Sequence, residues 1–477
     1  MDVNMVLFDD DDDYWDKEEE EDDERVEVPK SGGVYGYDVP FPNMDFLDDP
    51  EENDLYLFKV SLCPPSHPPP PADPGCCSWV LLDRTAYVAD HANATTANTF
   101  FTTRDRRRRE IRVTFFPAPP PRVSHFCVHC PSMKPECFAV EPLIIATHEE
   151  LVLLRVAIGR RHASYFHELH DFFVYRADSS TTNNNGGRHP SLDLLPHPGD
   201  CYSFDCQVGI THCDGGGGGG HEHYIIAALM FDSSRKVYDL HRFHSKNGSW
   251  STKALHLGTM EPSPGLTFFF HDTYKVITLG GGFMAWVDLR RGILLCDVLL
   301  DDPEPHFIPL PPPLKDDKEL IGDAREFRDI AVVHGYIKYV EIQSYISDGW
   351  VAATWSRKIT LEDSWEGDWR KDCELHVSDI SGSLPELLGD EEARTAQLNL
   401  QSLHTGNPTI SLQDDDVVYF LAKVGLRDDK SYVLAVNMRS KTLQGAACFG
   451  AERVLDMNFT CTQSRISHYL RNTPGKS

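Results

Sequence analysis

The sequence predicts a mainly β fold: antiparallel hairpins in series forming a β-propeller-like body of six to eight blades. Three observations carry that expectation. Apolar runs are short, rich in β-branched and aromatic residues, and bounded by turn residues. The 477 residues include 32 prolines and 33 glycines, which leaves little room for long helical periods. Several turns also carry hairpin chemistry, as in Val333-His-Gly335-Tyr.

In chain order, residues 1–54 come first, with fourteen acids and one lysine inside 1–24. Such a segment repels itself and buries too little apolar surface to offset its chain entropy, so a disordered acidic tail is expected. Residues 55–75 read as a proline-rich linker, extended in polyproline form around Cys63-Pro-Pro-Ser-His-Pro-Pro-Pro-Pro71. A β-rich body is expected over 76–460. Its strands begin with Ser78–Leu82, Ile111–Phe116, Leu143–Ile145, Leu151–Leu154, Phe172–Tyr175 and Tyr224–Phe231. Lys275–Leu279, Ile330–Val333, Ile337–Ile342, Val417–Leu421 and Tyr432–Val436 follow.

Leu289-Arg-Arg-Gly292-Ile fits a three-residue hairpin loop with glycine in the left-handed position, and Asn437–Lys441 links another pair. Phe283–Leu300 followed by His306–Leu310, and Leu169–Tyr175 followed by Leu192–Pro196, suggest one unit: a hairpin, then an apolar-proline outer segment. Units of about 45 to 50 residues would give about seven to eight blades, fewer where insertions are large. Residues 178–222, with their polar and glycine runs, are expected to be a surface insertion, and 461–477 a C-terminal tail.

Lysine plus arginine number 45 against 74 acids, a formal charge of −29. That balance disfavours direct binding to nucleic acid or to anionic membranes, because affinity for phosphate comes largely from basic groups displacing counterions. The longest clean apolar run, Tyr224–Phe231, is far short of the roughly 18 residues that suggest a membrane span. Without a visible presequence, a cytoplasmic location is expected, with the nucleus as the alternative. Thirteen scattered cysteines fit reduced, mostly buried thiols, so sequons at Asn93, Asn247 and Asn458 are expected to be coincidental.

Several motifs hint at chemistry and fall short of it. Cys127-Val-His-Cys130, with His125, His129 and Cys137 nearby, has zinc spacing but lacks a second pair. Cys201, Cys206, His212, Cys213, His221 and His223 flank a six-glycine run that would make a fixed geometry entropically costly. His167-Glu-Leu-His170 and His221-Glu-His223 space their histidines by three and two, not the four that a helical zinc site needs. Gly475-Lys-Ser477 ends like a phosphate loop but has Leu470 where glycine belongs. Gly280-Gly-Gly282 reads as a bend into the Phe283 strand. Arg104–Arg109 is the one dense basic run: a charged hairpin tip, a nuclear import signal, or a partner for the acidic tail. Asp297, inside Ile293–Leu300, needs a hydrogen-bonding partner or a channel to face, and Asp288 is placed to cap the turn beside Arg290. No catalytic residue, cofactor or metal is assigned.

Trp286-Val-Asp-Leu289, Gly292-Ile-Leu-Leu-Cys-Asp297 and Ile308-Pro-Leu-Pro311 resemble the signature of the plant family called domain of unknown function 1618, expanded in grasses. Phe327–Val333, Gly335–Val340, Trp355–Ile359, Trp369, Ser78–Asp83, Asn407-Pro-Thr and Asp416–Phe420 also fit, so the resemblance covers roughly 76–450. It implies a plant protein and brings no established activity. Related plant proteins join such bodies to an N-terminal F-box. Here an acid run stands in that place, and Ser383–Leu388 imitates the box opening too far downstream. The leading expectation is a non-enzymatic module binding protein partners. The alternatives are a small-ligand binder or enzyme using the central channel, and a nuclear regulatory protein.

Overall fold

The structure, a computed structural model, describes residues 63–65, 78–103, 106–159, 170–177, 189–198, 206–213, 223–255, 257, 269–314, 322–345, 349–360, 365, 367–382, 400–425, 431–449 and 461–470. The chain divides into two compact units, Met1–Asn43 and Met44–Ser477, and all of these residues lie in the second. The acidic tail, Ser383–Leu388 and Gly475–Ser477 therefore lie outside the described residues.

Six sheets form among them. Five are four-stranded antiparallel meanders taken in chain order. Blade 2 holds β6 (Leu143–His148), β7 (Leu151–Ala157), β8 (His170–Arg176) and β9 (Ser191–Leu194). Blade 3 holds β10 (Val208–His212), β11 (Tyr224–Asp232), β12 (Val237–His244) and β13 (Ser249–Leu255). Blade 4 comprises β14 (Lys275–Gly280), β15 (Phe283–Asp288), β16 (Gly292–Asp297) and β17 (His306–Pro309). Blade 5 comprises β18 (Arg328–Val333), β19 (Tyr336–Tyr345), β20 (Gly349–Lys358) and β21 (Arg370–His376). Blade 6 is β22 (His404–Ile410), β23 (Val417–Lys423), β24 (Ser431–Asn437) and β25 (Thr442–Phe449).

Blade 1 differs. β1 (Val80–Asp83), β2 (Tyr87–Val88), β3 (Ala97–Thr102), β4 (Arg108–Phe116) and β5 (Val123–His129) are completed by β26 (Cys461–Ser464), which pairs antiparallel with β1, Val80 opposite Ser464. The innermost strands β6, β10, β14, β18, β22 and β26 lie side by side in that order, and β26 returns to β6, closing the ring. Part of the segment read from sequence as a C-terminal tail is therefore the closing strand. Cys-Thr-Gln-Ser has no apolar run to announce it.

Closure explains the sequence pattern. Each sheet is stacked between two others, so its middle strands bury both faces and read as continuous apolar runs rather than as alternation. Six apolar clusters fill the six gaps, from Phe115, Phe126 and Phe173 between blades 1 and 2 to Trp79, Leu81 and Tyr419 between blades 6 and 1. Each fully buried large side chain contributes about 1.5 to 3 kcal/mol. Aromatic polar groups stitch neighbours at the rim. The Trp250 indole N–H donates to the Pro196 carbonyl at 2.9 Å, and that of Trp369 to Pro309 at 2.8 Å, so the apolar-proline segments are outer strands gripped by the next blade.

The turns follow their chemistry, with one correction. His334 (φ 48°) and Gly335 (φ 80°) make a two-residue turn between Val333 and Tyr336. Gly280, Gly281 and Gly282 all take positive φ in the turn that enters β15. Asn437 Oδ1 accepts from the amides of Arg439 and Ser440. Gly292, expected in the left-handed region, instead sits in β16 opposite Asp288. Glycine is needed there for room, since a Cβ would overlap the Phe307 ring and stand 2.5 Å from the Ile308 carbonyl oxygen.

Candidate functional site: the central channel

The six inner strands leave one backbone edge unpaired, facing the axis, and enclose a cavity of about 500 Å³. Its polar centre comes from three of them. Lys275, first residue of β14, donates from Nζ to Asp329 Oδ1 at 2.8 Å, to the Ile330 carbonyl at 2.8 Å and to Gln463 Oε1 at 2.7 Å. Gln463 Nε2 donates to Asp329 Oδ2 at 2.6 Å and to the Ile410 carbonyl at 3.1 Å, while the Ile410 amide donates to Asp329 Oδ2 at 3.0 Å. β14 and β26 are three places apart in a ring of six, so the Lys275–Gln463 bond crosses the channel. The network ties four inner strands together, and an ammonium with three acceptors beside a carboxylate with three donors is close to fully satisfied.

Further charges in the wall have partners behind it. Arg325 forms a bidentate pair with Asp323, and Arg328, deeply buried, reaches Glu341 Oε2 at 3.2 Å and the Leu289 carbonyl at 2.8 Å. Glu341 also accepts from Gln343, Tyr339 and the Leu314 amide. Near the closing strand, the Thr147 and Ser464 hydroxyls are 2.7 Å apart, and Tyr469 donates to Glu149 Oε2 at 2.6 Å. Burial pushes the Glu150 carboxyl up, but the His212 ring at 3.0 Å and Arg176 outweigh it and hold Glu150 below the usual carboxylate range.

The sequence-selected residues lie mostly elsewhere. Asp297 closes β16, accepting from the Leu299 amide at 2.9 Å, and is not part of the channel wall. Asp288 is buried and accepts from the amides of Arg290 at 2.9 Å and Asp272 at 3.1 Å; burial raises its pKa against those bonds. Cys127 and Cys130 are buried, burial pushing the Cys130 thiol up to about 12, while His125 stacks on Phe116 and His129 faces Asp90 at 3.7 Å. In the second cluster Cys206 lines the channel, His212 binds Glu150, and Cys213 takes the His223 carbonyl through its amide; Cys201 and His221 lie outside the described residues. His170 is buried in β8, and His167 is outside. Among the described residues no three His, Cys, Asp or Glu side chains converge as metal ligands. No helix among them is long and apolar enough to cross a membrane.

Lys275, Asp329 and Gln463 were missed. Their one sequence signal is Arg328-Asp329, a charged pair opening an otherwise apolar strand.

Comparison with known proteins adds family and likeness. No curated protein sequence matches the chain. The parainfluenza virus 5 hemagglutinin-neuraminidase ectodomain aligns at 10% identity and a TM-score of 0.31, over 63% of this chain and 68% of the viral one. Alpha-L-arabinofuranosidase from Lactobacillus brevis gives 11%, 0.26, and 67% and 88% of the two chains. The β-propeller domain of the trilobed protease from Pyrococcus furiosus gives 9%, 0.23, 79% and 98%. Likenesses this distant lend nothing to a functional reading. The decisive match is to residues 286–419, which open on the Trp286 whose indole N–H donates to the Gln207 carbonyl at 2.8 Å and so joins blades 3 and 4. Over that segment the chain matches the model of the family described as protein of unknown function (DUF1618), the family that its sequence resembles.

Proposed function

We propose that the protein is a non-enzymatic interaction module, a closed ring whose surface loops engage partner proteins. The observation that supports this is the use to which the channel's charges are put. Lys275, Asp329 and Gln463 bind one another across the axis, Asp323 holds Arg325, and Glu341 holds Arg328. Groups that a catalytic channel would present to substrate serve here as struts of the ring. Rigid strands then carry loops on which contact residues vary at little cost to the fold. Cys63, Cys130, Cys137, Cys296, Cys373 and Cys461, among the described residues, are free thiols, which fits work in the cytoplasm or nucleus.

Proximity labelling from the full-length protein in its native tissue tests this. Reproducible protein neighbours, enriched over the labelling enzyme alone, are expected; their absence would overturn it.

A second reading rests on the cavity itself. About 500 Å³ falls within the roughly 300 to 1,000 Å³ of small-molecule sites, and His148, Glu149, His334 and Arg465 all line it. Native mass spectrometry of the protein purified from its source would reveal a retained small molecule if the channel is a binding site. A mass equal to the bare chain, together with no thermal shift across a metabolite panel, would remove this reading.

A further inference from the structure

The β3–β4 hairpin carries the densest positive charge of an acidic chain. Residues 104–109 contain five arginines and one aspartate; Arg104 and Asp105 lie outside the described residues. β3 and β4 pair up to Thr102 opposite Arg108. Beyond that, the Thr103 amide donates to the Arg107 carbonyl at 3.0 Å, the Arg106 amide to the Thr103 carbonyl at 2.8 Å, and the Thr103 hydroxyl also to Arg107 at 3.0 Å. Arg109 is drawn back into the fold, donating from Nε to Thr103 Oγ1 at 3.1 Å and from Nη1 to the Ser132 carbonyl at 3.2 Å. Arg106, Arg107 and Arg108 remain exposed at the tip.

Two features go beyond a solvated charge run. Arg106 sits at φ 59°, a position glycine or asparagine would fill at less cost, so the turn bears strain to place an arginine there. Beside it Phe100 is 47% exposed, with the Arg108 guanidinium 4.4 Å from its ring centroid. Phe101, one residue on, is buried against Phe173, which fixes the strand and turns Phe100 outward. An exposed aromatic under an arginine has the composition of an interface anchor. Glu110, opposite Phe100 in the ladder, is held by Arg112 at 2.9 Å and Asn98 at 3.2 Å.

We infer that this hairpin tip docks an acidic peptide segment of a partner protein. Guanidinium forks at Arg106, Arg107 and Arg108 pair with Asp and Glu carboxylates, and the Phe100 ring takes an adjoining apolar side chain. A short acidic segment needs only local attraction, since charges beyond about 8 to 10 Å are screened. A long polyanion such as RNA would have to run over a surface belonging to a chain of charge −29, which disfavours it. The inference rests on the interaction-module reading and names the partner class.

The test is fluorescence anisotropy of a labelled dodecapeptide of Asp, Glu and one Leu, titrated with the full-length protein. Expected are salt-sensitive binding, about tenfold or greater weakening by Arg106→Gln/Arg107→Gln/Arg108→Gln, and several-fold weakening by Phe100→Ala, with urea midpoints unchanged because the side chains are exposed. No binding, equal binding by the triple variant, or tighter binding of a 12-nucleotide single-stranded RNA or of phosphatidylserine vesicles would overturn it. Proximity labelling with the triple variant separates the two claims. Neighbours that all persist sink the hairpin and leave the module standing, whereas no neighbours in either form sinks the module.

Discussion

Replacing Asp329 by alanine removes the hub of the channel network, and the structure sets the size of the effect. The carboxylate accepts from Lys275, Gln463 and the Ile410 amide. Stranding a partner of a fully buried pair costs about 3 to 5 kcal/mol, but the Lys275 side chain is 23% exposed, so about 2 kcal/mol is appropriate. The Ile410 amide and Gln463 Nε2 are left short of an acceptor, adding about 1 to 2 kcal/mol. A total of about 3 to 4 kcal/mol should appear in urea unfolding followed by tryptophan fluorescence, as a lower midpoint at unchanged slope. Asp329→Asn, which keeps shape without charge, should lose about half as much. In a double-mutant cycle with Lys275→Met the two losses should fall short of additivity by about 1 to 3 kcal/mol. A loss under about 1 kcal/mol for Asp329→Ala, or additivity in the cycle, would refute the account of the network as the tie between strands.

Three further outcomes follow from the packing. Gly292→Ala should destabilise by about 1 to 3 kcal/mol, and adding Phe307→Leu should restore only part, because the Ile308 carbonyl cannot move aside; full tolerance in a melting experiment would contradict the close approach. Burial lowers the pKa of His271 to about 3, so between about pH 6.5 and 3 the unfolded chain takes up a proton that the folded chain refuses. Stability should therefore fall with pH by about 1.4 kcal/mol per unit below about 6.5, and His271→Phe should lose about 2 kcal/mol less between pH 6.5 and 5; identical acid sensitivity would show that His271 is not responsible. Ending the chain after residue 460 removes β26 and leaves the β1 edge open. Such a chain should lose cooperative unfolding and expose apolar surface to a hydrophobic dye, and a native-like transition would show that β26 is dispensable.

The fold was legible wherever burial on both faces wrote itself as an apolar run. All eleven strands expected from such runs are strands, and His306–Pro309 and Ser191–Leu194 are the outer strands that the apolar-proline segments suggested. What escaped were strands whose residues answer to position rather than to core. Val208–His212, His404–Ile410 and Cys461–Ser464 line the channel and mix polar with apolar residues, so their periodicity is weak. The blade number falls at the low end of the expected six to eight because the connections are long. Inner strands begin at 143, 208, 275, 328, 404 and 461, and the ring closes with six. The channel was illegible for a deeper reason. Lys275, Asp329 and Gln463 are brought together by closure, and no local pattern marks residues so far apart along the chain. Asp297 drew attention because a charge in an apolar run is conspicuous, yet a turn amide satisfies it locally.

The first blade, shared between the beginning and the end of the folded body, has a consequence for biosynthesis. β1 leaves the ribosome before blades 2 to 6, and its inner neighbour β26 emerges only after all of them have been translated. Throughout elongation the nascent protein therefore holds an open strand edge, a template for wrong pairing and a target for chaperones. Loop-closure entropy makes this long-range pairing slow, so ring closure is the natural rate-limiting event of maturation. It also makes the final strand a proofreading step: a message cut short yields a chain that cannot seal, and the cell's quality control can recognise it by that exposed edge.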